Sequence, residues 1–62
     1  MQRREEYLGL ESLIEQAIHD ASTEGLGYAG QTGKAVRKVQ KVKPDLSPFE
    51  AMRLVDLYRA EN

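Results

Sequence analysis

The chain has 62 residues, no cysteine, 31% charged residues and a formal net charge of -1. That length makes one small domain near the lower limit for a self-sufficient core, and the lack of thiols excludes a disulfide framework or thiolate metal site, with the reducing cytoplasm as the expected compartment. The apolar runs predict neither a signal peptide nor a membrane span, and a pI near 5.7 gives no global attraction to nucleic acid or anionic lipid.

The charge is unevenly placed. Residues 1–24 sum to -4, residues 25–43 to +5 and residues 44–62 to -2. Residues 4–22 read as a first helix, because Leu10, Leu13, Ile14, Ala17, Ile18 and Ala21 recur at the spacing that lines one helical face, with Glu11, Glu15, Gln16 and His19 opposite or flanking. Tyr7 and Leu8 extend the stripe by a turn, although Gly9 weakens a helix there by about 1 kcal/mol relative to Ala.

Four glycines between Glu24 and Gly33 then break the pattern, which predicts a loop, with Gly25 as the left-handed cap of helix one. The string Gly25-x-Gly27-x-x-Gly30 matches a dinucleotide-binding pattern in letters only. It follows a helix where the chemistry needs a strand, so its glycines have no pyrophosphate to approach. Gln31-Thr32-Gly33-Lys34 fails as a phosphate loop at two places, with Tyr28 where a glycine is needed and Ala35 where a metal-binding hydroxyl is needed.

Helix two is expected from Thr32, as its cap, to Val42, with Pro44 ending it. Ala35, Val36, Val39 and Val42 form its apolar stripe; Lys34, Arg37, Lys38 and Lys41 form a cationic stripe on the other side. That stripe reads either as a solvated face pairing with the acids of helix one or as a contact surface for phosphate or an acidic partner. Helix three starts with a capping box, Ser47 against Glu50, with Pro48 in the first helical position and Leu46 placed as a hydrophobic staple. Ala51, Leu54, Val55 and Tyr58 make one stripe at about 100° per residue. Phe49, Met52 and Leu57 fall outside it, and one core cannot easily cover both sets.

The runs Lys34-Ala35-Val36-Arg37-Lys38-Val39 and Leu46 through Asp56 resemble the helical hairpin in the C-terminal domain of the bacterial ribosomal stalk protein. That resemblance implies a docking surface for translation factors, with Lys34, Arg37 and Lys38 as contacts. It covers a minority of the chain, the spacing between the runs is a residue longer, and the family's strands and this chain's first helix have no counterparts in each other. It is a local resemblance and assigns no family.

The expected architecture is an all-α, small three-helix domain in which helices two and three form a helical hairpin or helix-turn-helix. Catalytic constellations, cofactor motifs and metal sites are not expected: His19 is the sole histidine, and Glu11 and Glu15 need a cleft to act as an acid-base pair. The expected function is a non-enzymatic protein-interaction module or regulator that binds a protein partner or forms a homo-oligomer, without a small-molecule substrate or a membrane. Its contacts are Lys34, Arg37, Lys38, Lys41, Phe49, Met52 and Leu57. The alternative is a nucleic-acid-binding helix-turn-helix, against which stand the acidic pI and the balance of Arg53 and Arg59 by Glu50 and Asp56 in helix three.

Overall fold

A computed structural model describes residues 9–61 as three helices: α1 (Glu11–Thr23), α2 (Tyr28–Val42) and α3 (Pro48–Glu61), with no strand among the described residues. The all-α, three-helix architecture is as the hydrophobic periodicity predicts. None of the helices is long and apolar enough to cross a membrane.

Two helix starts differ from expectation. Gly9 has a φ of +89°, a left-handed conformation that no helix contains, so α1 begins after it, with the Ile14 N–H donating to the Leu10 carbonyl at 2.9 Å. The expected turns at residues 4–8 lie outside the described residues. α2 starts at Tyr28, not Thr32, on an extended Gly27 that provides no side-chain cap. Its first two turns therefore absorb Gly30 and Gly33, each of which costs a helix about 1 kcal/mol relative to Ala.

What holds the first of them comes from elsewhere in the chain. Gly25 (φ +88°) closes α1 in a Schellman motif, with the Leu26 N–H on the Ala21 carbonyl at 3.0 Å and the Gly25 N–H on the Ser22 carbonyl at 2.9 Å. The reversal folds Leu26 back onto α2. A Cβ added at Gly30 would stand 2.9 Å from the Leu26 Cβ, so only glycine permits this approach. Gln31 Nε2 donates to the Leu26 carbonyl at 3.0 Å, and the Arg59 guanidinium of α3 lies 4.0 Å over the Tyr28 ring.

The start of α3 agrees with the sequence atom by atom. The Glu50 N–H donates to Ser47 Oγ and the Ser47 N–H to Glu50 Oε1, both at 3.1 Å. Leu46, just before the cap, is half-buried against the core, and its carbonyl accepts from Gln40 Nε2 at 3.2 Å.

Leu10, Ile14, Ala17, Ala35, Val39, Ala51, Leu54 and Val55 form the core. Much of it is alanine, which lets the helix backbones approach closely but supplies little buried volume. α2 is the middle helix: its interface with α1 is the more extensive, that with α3 is smaller, and α1 and α3 barely meet. The expected α2–α3 hairpin is thus present as a packed pair, but it is not the dominant pairing. Tyr58 is half-buried beside α1, where burial first, then the charges of Glu15 and Glu11, raises its phenol pKa above the ordinary value of 10.0.

Two outcomes follow. Gly33→Ala, whose Cβ would meet nothing within 4 Å, should raise stability in urea by up to about 1 kcal/mol, whereas Gly30→Ala should lower it. Because the folded state keeps the Tyr58 proton where the unfolded chain releases it, stability from this group is intact below pH 10 and falls as pH rises through the folded value. An alkaline titration of phenolate absorbance should show a late phase that Tyr58→Phe removes.

Candidate functional site

Between α2 and α3, on one face of the molecule, lies a groove of about 700 Å³, open to solvent. On the α2 side it is lined by Tyr28, Gly33 and Val36 among others, and on the α3 side by Phe49, Met52 and Asp56. The groove has depth because Gly33 has no side chain and Ala29 has a short one. A smaller hollow of about 370 Å³ lies on the other flank of Phe49 and Met52, towards Leu57 and Ala60. The two side chains are therefore a ridge between two depressions.

The apolar residues expected to lack cover do not behave alike. Phe49 is 73% exposed and Met52 40% exposed. Leu57 is half-buried and packs against the core, which corrects the expectation that all three stand outside it: Leu57 lies only about 60° round the helix from Leu54, at the edge of the covered stripe. Tyr28, 65% exposed, joins Phe49 and Met52 at the groove. Sequence reasoning missed it because the glycines around it read as a loop; once α2 is begun at Tyr28, the spacing 28, 32, 36 brings it into line with Val36.

The cationic stripe also divides. Lys34 Nζ lies 2.6 Å from Glu24 Oε2 at the end of α1 and is partly covered, so it joins two elements, as the solvated-face reading supposes. Lys38 is half-buried, while Arg37 and Lys41 are exposed. Neither Arg37 nor Lys41 has an ion-pair partner among the described residues. Arg37 lies about 100° and Lys41 about 140° round the helix from Val36, so both sit on the solvent side of α2, outside the residues that line the groove. Arg59 is engaged inside the chain, over Tyr28 and at 3.4 Å from Gln31 Oε1.

His19 is exposed and shares a shallow polar hollow on α1 with Ser12, Glu15 and Gln16. No group of three His, Cys, Asp or Glu side chains among the described residues could hold a metal ion.

Fold and surface together define a small all-α domain with an apolar groove between α2 and α3. No known protein family matches the chain, and no curated protein or solved structure shows significant similarity to it. The local resemblance of residues 34–56 to the ribosomal stalk hairpin thus rests on those residues alone.

The unequal cover of the α3 residues can be measured. Phe49→Ser and Met52→Ser should leave the urea midpoint within the change typical of surface substitutions, about 0.5 kcal/mol, whereas Leu57→Ala should cost about 1 to 2 kcal/mol through lost packing.

Proposed function

We propose that this domain is a non-enzymatic protein-interaction module, a small regulator or adaptor that docks a protein along the groove between α2 and α3. One observation supports the reading above others: of the five exposed large apolar side chains among the described residues, Tyr28, Phe49 and Met52 line a single groove. Scattered exposed apolar residues are ordinary, but convergence around a concavity marks a surface that gains by being covered. The groove is too open to enclose a small molecule, since ligand sites bury most of their occupant. Aromatic and methionine side chains are also the types enriched where proteins meet.

The nucleic-acid reading draws on the exposed Arg37 and Lys41, and it ranks second. The face of α3 that would enter a major groove carries Asp56 beside Met52 and Phe49, and a carboxylate there repels phosphate.

A photo-reactive amino acid placed at position 49, and as a control at the exposed position 16 of α1, tests the proposal in the cells that make the protein. The expected result is a discrete protein adduct from position 49 that is absent from position 16, survives moderate salt and is lost on Met52→Asp. An adduct with DNA or RNA, together with retardation whose log-log salt slope is near -3 to -4, as about four neutralised phosphates would give, would put the nucleic-acid reading first.

A further inference from the structure

We infer that the outer face of α3 is a homodimer surface, on which a second copy of this chain packs its own α3 antiparallel, about a two-fold axis level with the Leu54–Val55 peptide. The inference goes beyond the docking reading and does not rest on it, because it concerns the hollow on the other flank of Phe49 and Met52 from the groove. That hollow of about 370 Å³ is lined by Phe49, Met52, Arg53, Asp56, Leu57 and Ala60. At about 100° per residue these positions centre on the side of α3 opposite Ala51, Leu54 and Val55, the buried side chains of the same helix. All of them except Leu57 are exposed.

The chemistry of this face complements its own reverse. Phe49, Arg53, Asp56 and Ala60 recur at intervals of four, three and four, the seam spacing of paired helices, with Met52 and Leu57 about 70° to either side. In the antiparallel arrangement Phe49 comes level with the partner's Ala60, and Arg53 with the partner's Asp56. Each end of the seam then sets a large side chain against a small one, and each middle layer sets a guanidinium against a carboxylate. Any helical stripe has symmetric intervals, but this matching of size and sign is particular to these residues and singles out a second copy. A parallel pair would set Arg53 against Arg53 and Asp56 against Asp56, so the charges also select the direction. Arg53 interacts within its own chain as well; a guanidinium has five N–H donors, enough to serve a further carboxylate.

The driving force is the cover of Phe49 and Met52, 73% and 40% exposed, while the ion pairs fix register more than they add affinity. The seam runs about 17 Å along the helix axis, and one helix per partner buries less than the roughly 1,200 Å² at which stable interfaces begin. The dimer is therefore weak, forming between about ten micromolar and one millimolar.

Sedimentation equilibrium of the full-length chain over that range tests the arrangement, and the mass should rise towards twice that of the monomer. Arg53→Asp alone and Asp56→Arg alone each bring like charges together and should weaken association about tenfold or more. Mixed in equal amounts, these two variants should associate again, as should a chain that carries both changes. Ala60→Phe sets ring against ring at both ends and should dissociate the dimer with the melting temperature unchanged; adding Phe49→Ala should restore it. Gly33→Leu, which fills the groove on the other flank, should leave the dimer intact.

A chain that stays monomeric at about one millimolar overturns the inference, and the docking reading is then judged separately, by the adduct of position 49 with another protein. Association that Arg53→Asp and Ala60→Phe leave untouched overturns it too, as does failure of the mixed charge variants to associate. Loss of the dimer on Gly33→Leu would overturn the α3 seam and assign the second copy to the groove.

Discussion

Ala35 and Val39 have no exposed surface because α2 is covered on two flanks, by α1 on one and α3 on the other. The remainder of the structure depends on that double cover. With Ile14, Val39 and Val55 as the largest fully buried side chains, the core has few methylenes to remove from water. Alanines at 17, 35 and 51 take three of its positions, a side chain small enough not to hold neighbouring helices apart. The outer helices pay for this arrangement in exposure: α3 has only one broad neighbour, and the side chains on its remaining circumference meet water.

The first turn of α2 shows how a locally unfavourable segment becomes helical. Intrinsic preference opposes a helix through Gly30 and Gly33, and Gly27 caps it without a side chain. Leu26 settles on Gly30 only because Gly25 has reversed the chain after α1, and Arg59 covers Tyr28 from the far end of the sequence. Each contact is made by a residue outside the turn. Tertiary packing thus outweighs propensity at a place where propensity is weakest.

Those facts explain which parts of the molecule the sequence discloses. The Ser47–Glu50 box, the Gly25 cap and the Ala51–Leu54–Val55 stripe depend on neighbours within a turn or two, and the structure places all of them as the local chemistry predicts. The groove is different. Its α3 wall was visible in Phe49 and Met52 as surplus apolar surface, but its α2 wall was hidden, because the glycines from 25 to 33 suggest a loop unless Leu26 and Arg59 are known to support them. Nor does spacing reveal that Lys34 is committed to Glu24 while Arg37 and Lys41 remain exposed. That division depends on where α1 ends.

The contact of Arg59 with Tyr28 has a mechanical side. It ties the last turn of α3 to the first turn of α2, while the link of residues 43–47, held by Gln40 on the Leu46 carbonyl, ties the opposite ends of the same two helices. The groove therefore lies between walls braced at both extremities, as rails are held by sleepers. A surface of fixed width loses little conformational freedom when it is covered, so most of the ordering entropy of an encounter falls on the incoming molecule. Cutting either brace would leave the groove's chemistry in place and remove its gauge.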